Sequence, residues 1–189
     1  MRGHKQERIM RVLLAEEEGL SKSAIAIKAQ CTRPWVILFL KKLEKLGLVK
    51  GTNVISRKSL IKYWRGVHKK PKSFRSYMVK EPLKLLKETK LDYALTTYQA
   101  ENIVQHHLFP SRIDLYIKEE DLDKWHELMT KNGLYGKGNV RIIMTDEHVM
   151  YKKRKLEGLY VVSLPQLIID LFDEGSVCEE AAQMLMKNV

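Results

Sequence analysis

The stretch "TRPWVILFLKKLEKLGLVKG", residues 32–51, decides how the first half of the chain is read. Thr32 can cap a helix, Pro34 suits its first turn, and Gly47 stands where such a helix stops. Between them Val36, Phe39, Leu40, Leu43 and Leu46 recur at helical spacing, which predicts a core face. The opposite face carries Arg33, Pro34, Ile37, Leu38, Lys41 and Lys45. After Gly47, "LVKGTNVIS" alternates like a short hairpin, with Gly51-Thr52-Asn53 as its turn.

Working outward, "KQERIMRVLLAEE" (5–17) puts Ile9, Val12 and Leu13 on one helical stripe that ends at Gly19. "SKSAIAIKAQC" (21–31) opens with Ser21 as an N-cap and carries Ala24, Ile25 and Ala29 at helical spacing. Helix, helix, turn, helix, hairpin is the order of a winged helix-turn-helix. "RKSLIKYW" (57–64) is a short amphipathic helix that closes this unit, residues 1–65. Residues 66–81 follow with Pro71, many cations and weak periodicity, which predicts a basic linker or arm. Its aromatics Phe74 and Tyr77 either stack on bases or dock the arm.

Charge divides the chain. Residues 1–80 hold 20 Lys+Arg against 5 Asp+Glu, a balance of +15, whereas residues 81–189 hold 14 against 18, a balance of −4. A basic N-terminal portion suits a polyanion, most often nucleic acid. No apolar run approaches the ~20 residues of a membrane span. The first residues are charged and lack a signal peptide's apolar region, so a cytoplasmic protein is expected. Cys31 and Cys178 are too few for a disulfide framework.

The second half, residues 82–189, mixes helices and strands. "PLKLLKETKL" (82–91) reads as a helix, and "DYALTTYQAENIVQHHL" (92–108) as a short strand at Tyr93–Leu95 and then a helix. "RIDLYIK" (112–118), "NVRIIMT" (139–145), "EHVMYKK" and "LYVVS" read as strands, with a helix at 119–133. Ser163 followed by Gln166 has the spacing of a capping box before "LIIDLFDEG", and "SVCEEAAQMLMKN" (176–188) is a last helix. The fold class expected is α+β, a winged helix-turn-helix followed by a mixed α/β domain.

Three stretches carry a family resemblance. "LSKSAIAIKAQCTRPWVILFLKKLEKLGLVKG", "SRKSLIKYW" and the series from "DYALTTYQAENIV" through "VVSLPQLIIDLFDEG" to "EEAAQML" resemble the AbiEi-like antitoxins of type IV toxin–antitoxin, or abortive-infection, systems. The resemblance spans most of residues 5–187. It implies a DNA-binding transcriptional regulator that represses its own operon through the winged helix. It also implies an antitoxin-like C-terminal domain that counters a nucleotidyltransferase-like toxin from a neighbouring gene.

"YALTTYQAENIVQHHLFPSRIDLYI" also resembles the opening of a nucleotidyltransferase. There a glycine turn cradles triphosphate, and two acids at a spacing of two on the next strand hold divalent metals. Here Thr96-Thr97 replace the glycines, and Asp114 has Arg112 and Tyr116 two residues away. A degenerate scaffold without catalysis, cofactor or metal is the expectation, with Asp114 paired to Arg112 or to nearby backbone. Its alternative role is an adaptor acting through protein contacts. Asp170 and Asp173, one turn apart, are expected on a solvated face, and Cys178 in the core.

For DNA, the phosphate-binding candidates are Lys22, Lys28, Arg33, Lys41, Lys42, Lys45, Lys50, Arg57 and Lys58. Arg33 is the candidate base reader, with guanine as its partner. Ile37 and Leu38 either touch thymine methyls in a groove or pack against another protein surface. A second copy of the chain in a homodimer and the C-terminal domain are the two such surfaces.

Overall fold

The computed structural model, which describes residues 2–16 and 18–189, forms three helices first: α1 (Arg2–Ala15), α2 (Lys22–Lys28) and α3 (Arg33–Lys45). A hairpin of β1 (Val49–Lys50) and β2 (Asn53–Val54) follows, and then α4 (Arg57–Val67). Glu17, where the sequence pattern carries the first helix, lies outside the described residues. Ser21 caps α2 as expected, its Oγ accepting from the Ala24 amide at 3.1 Å. Thr32 does not: its side chain makes no capping bond, and Pro34 supplies the helical start of α3.

The far end of α3 is fixed by two backbone bonds. Leu48 N donates to Leu43 O and Gly47 N to Glu44 O, each at 2.9 Å, with Gly47 at φ +68°. This is a Schellman end, which only a residue tolerant of the left-handed region closes without strain. It turns Leu48 inward and leaves Leu46 exposed, so Leu46 is not part of the core face that the helical spacing predicts. Val36, Phe39, Leu40 and Leu43 are buried, as that spacing predicts.

The remaining elements are β3 (Ser73–Val79), α5 (Pro82–Glu88), β4 (Ala94–Thr96), α6 (Thr97–Gln105), β5 (Ile113–Ile117), α7 (Leu122–Lys131), β6 (Gly133–Tyr135), β7 (Val140–Met144), β8 (Arg154–Leu156), β9 (Leu159–Val161), α8 (Leu164–Glu174) and α9 (Val177–Lys187). The strands form one mixed sheet in the order β6-β3-β7-β5-β4-β9-β8. All five residues of β5 are buried, so its centre is covered on both faces. Among the described residues, no helix is long and apolar enough to cross a membrane.

Three sequence expectations change here. The basic arm at 66–81 contains β3, which pairs antiparallel with both β6 and β7. Its short alternation is obscured by Arg75 within it and by the cations Lys69, Lys70, Lys72 and Lys80 on either side. Tyr77 is buried there and Phe74 is exposed. Residues 147–150 form a short 3-10 turn rather than a strand, with Asp146 accepting from the His148 amide. Ser163 and Gln166 make no capping box: Ser163 caps nothing with its side chain, and Gln166 is drawn into a buried network instead.

That network joins the two halves. Arg11 of α1 is 1% exposed and donates from Nε to Gln166 Oε1 of α8 at 2.8 Å. Its Nη1 lies 2.9 Å from His148 Nδ1, and its guanidinium stands 5.2 Å from the Trp64 ring of α4. His148 Nε2 lies 2.9 Å from the Lys28 carbonyl. A single hydrophobic cluster runs from Ile9 to Met186 around these groups.

Burial, with Arg11 beside it, pushes the His148 imidazole down from 6.5 to about 4. The folded value lies below the free one. The folded state therefore loses stability as pH falls from about 6.5 toward about 4, where the unfolded chain takes up the proton first. Replacing Arg11 with Met removes the adjacent charge while keeping bulk. The His148 titration followed by NMR should then move upward; an unmoved titration in a folded Arg11→Met protein contradicts the contact.

Candidate functional site

Two places gather polar chemistry. The first is the open face of α3. Arg33, Ile37, Lys41 and Lys45 fall at intervals of four and form one ridge, with Pro34, Leu38 and Lys42 on the next. Arg33, Lys41, Lys42 and Lys45 are exposed, as are Lys22 at the start of α2 and Lys50 on the hairpin. Leu38 is 60% exposed on the same face, and Ile37 is half-buried. Glu44, the acid on α3, turns away to accept from the Gly51 amide at 2.9 Å and anchors the hairpin tip. Glu7 and Glu16 are likewise used internally, by His68 and Trp64 and by Lys28 and Tyr151. Glu7, Glu16 and Glu44 are thus each held by a partner, and Glu18 stays exposed; the exposed cations of α2, α3 and the hairpin outnumber it.

Three expected phosphate contacts do not stand free on that face. Arg57 donates to the Leu14 carbonyl at the end of α1. Lys28 pairs with Glu16 at 3.1 Å. Lys58 reaches the Lys187 carbonyl at 3.4 Å, toward α9. Each lies where the N-terminal helices meet the rest of the chain, a junction invisible to local pattern.

The second place is the sheet at Thr96, Thr97 and Asp114. β4 and β5 run antiparallel with Thr96 opposite Asp114, and Asp114 lies beside Arg141 of β7. Asp114 is 0% exposed. It accepts from Thr97 Oγ1 at 2.5 Å, from Arg112 Nε and Nη2 at 2.6 and 2.9 Å, and from Arg141 Nε and Nη2 at 3.0 and 2.9 Å. Both arginines also reach Glu174, at 2.8 and 2.9 Å. Two guanidinium groups therefore face two carboxylates, and a carboxylate has about four lone-pair positions to give. A cation at Asp114 would have to displace an arginine. Among the described residues, no cluster of three His, Cys, Asp or Glu side chains is placed to hold a metal.

Thr97 carries the turn in an unusual way. Its φ is +48°, a region costly for a β-branched residue. Its hydroxyl is clasped by Asp114, and Thr96 Oγ1 donates to Asp170 Oδ2 at 2.5 Å. The backbone thus keeps a shape that suits glycine at a position where the sequence has threonine.

Asp170 departs from the solvated face expected of it. It is 4% exposed and accepts from Thr96, Tyr116 and Gln166. Burial pushes its carboxyl up to about 6 against those hydrogen bonds, which favour the ionised form. Nearby, burial opposes a charge on His68. The Asp173 carboxylate 3.3 Å away and the hydrogen bond with Glu7 outweigh it and lift the imidazole to about 10. The cleft beside these groups, lined by Lys70, Thr97, Arg141 and Asp170 among others, encloses about 70 Å³. That is well short of the ~300 Å³ at which small-molecule pockets begin. Cys178 is fully buried, in the core as expected.

Arg141, Glu174 and Asp170 escape a motif search, yet two of them, Arg141 and Asp170, carry a signal. Arg141 interrupts the apolar strand "VRIIM", and Asp170 interrupts the apolar helix "LIIDLF". A charge within a buried run requires a partner elsewhere.

No protein-family model matches the chain, and no curated protein sequence matches it. Among solved structures, the crystal structure of the Megavirus polyadenylate synthase aligns over 99% of this chain at 13% identity with a TM-score of 0.41. The chain spans 42% of that protein's length.

The strain at Thr97 is testable. Thr97→Val keeps the β-branch but loses the hydroxyl bond to Asp114, and should cost about 1–3 kcal/mol. Thr97→Gly loses the bond but also the strain, and should cost less. Denaturant midpoints that rank Val above Gly would show that the turn is not strained.

Proposed function

We propose that the chain is a DNA-binding transcriptional regulator, an autorepressor whose N-terminal unit is a winged helix-turn-helix. The observation that carries this reading is the ridge of Arg33, Ile37, Lys41 and Lys45. Lys42 and Lys50 are exposed beside it, on the side of α3 opposite its buried residues. Lys41, Lys42, Lys45 and Lys50 grip phosphates, and Arg33 at the helix start reads a base edge. The docking of α1 and α4 on α8 supports the assignment, because it uses other helices for the intramolecular contact.

In this reading the C-terminal sheet is antitoxin-like and not an enzyme, a nucleotidyltransferase-like scaffold in which Asp114 is given over to Arg112 and Arg141. Its functional partner is a nucleotidyltransferase-like toxin encoded next to it. A second reading, an adaptor working through protein contacts or a homodimer, is favoured by Leu38 together with Ile27, which is 79% exposed on α2.

A gel shift with the chain's own promoter tests the first reading. Arg33→Ala should weaken binding to the operator selectively and relax sequence preference. Lys42→Ala should weaken all duplexes alike. No shift with operator or random duplex at moderate salt would sink the DNA reading and leave the adaptor.

A further inference from the structure

The run "KKRK" at 152–155 belongs to neither site above, and it splits between two surfaces. Lys153 pairs with Asp92 and donates to the Tyr93 carbonyl at 3.1 Å. Lys152 and Arg154 instead line a cleft of about 340 Å³ at the seam between α1, α4 and the start of α8. Arg57 lines it from the N-terminal unit. That size falls within the ~300–1,000 Å³ of small-molecule sites.

The base of this cleft is the N-terminus of α8. The first amides of a helix have no partner within it and attract anions. Pro165 has no N–H, which leaves Leu164 and Gln166 as the early donors. Ser163 occupies the N-cap and lines the cleft, but its side chain caps neither amide. It is 4% exposed, and its Oγ has no hydrogen-bond partner among the described residues. A buried hydroxyl without a partner is costly, and a ligand oxygen would satisfy it. Among the described residues no Asp or Glu lines the cleft, which Asn188 and Val189 also border; Glu16 holds Lys152 at 3.3 Å.

We propose that this cleft binds a phosphomonoester, its dianion held by Arg57, Arg154 and Lys152 and seated on Ser163 and the α8 amides. Three cations favour a doubly charged group over a singly charged one. The recessed position of Ser163 favours the tip of a small molecule over the backbone of a duplex. The site spans the seam that joins the basic unit to the sheet, so its ligand would contact both. The inference does not depend on the DNA reading.

The test uses the full chain at constant ionic strength, with inorganic phosphate, AMP, adenosine and chloride as probes, read by thermal shift and calorimetry. Phosphate and AMP should bind and raise the melting temperature with concentration, while adenosine and chloride should not. Arg154→Glu, on an exposed side chain, should weaken AMP at least tenfold, and Ser163→Ala should weaken it in the same direction. A shift that chloride reproduces, or that Arg154→Glu leaves intact, overturns the site. If phosphate and AMP fail to bind but duplex affinity falls tenfold in Arg154→Glu, the cleft serves the DNA backbone and the small-ligand proposal is wrong.

Discussion

A guanidinium removed from water constrains much of this molecule. Arg11 of α1 is buried among α4, α8 and the turn at 147–150, and each of the three contributes a group to it: Trp64, Gln166 and His148. A buried charge is tolerated only when its partners are fixed in place. The helices that carry these partners are therefore not free to slide. Removing the charge costs more than the bonds it makes, because Gln166 and His148 would be left buried without it.

The same network continues into the sheet. Gln166 passes from Arg11 to Asp170, and Asp170 holds Thr96 at the turn where β4 becomes α6. A parallel chain runs from Glu7 through His68 to Asp173. Docking through α1 and α4 has two consequences. It occupies Glu7 and Glu16 and draws Lys28, Arg57 and Lys58 toward the seam. It leaves α3 and the hairpin with the cations that remain. The sheet's own charges, Asp114 and Glu174 against Arg112 and Arg141, close on one another. The exposed cations thus gather on α3 and the hairpin, while the charges around Asp114 satisfy one another.

Much of this was legible where local rules act. The buried stripe of α3 and the stop at Gly47 follow from spacing and from one glycine. The exchange of Leu46 for Leu48 does not, since it depends on the bonds of the helix end. β3 was hidden because Pro71 and the flanking cations suggest a linker, and its pairing with β6 and β7 comes from residues about 60 positions away. Arg112 beside Asp114 could be anticipated from adjacency along the chain. Arg141 could not, because a parallel register brings it there. The capping box at Ser163 failed for a similar reason: Gln166 has a stronger claim on it from Arg11.

The central claim is that the exposed cations of α3 hold duplex DNA. The salt dependence of affinity tests it most directly. Each phosphate contact contributes about −0.9 to the slope of log K against log salt. The simultaneous change Lys41→Ala, Lys42→Ala and Lys45→Ala should therefore make the slope shallower by about 2 to 3. A wild-type slope near zero, or a slope that the triple substitution leaves unchanged, would contradict the account.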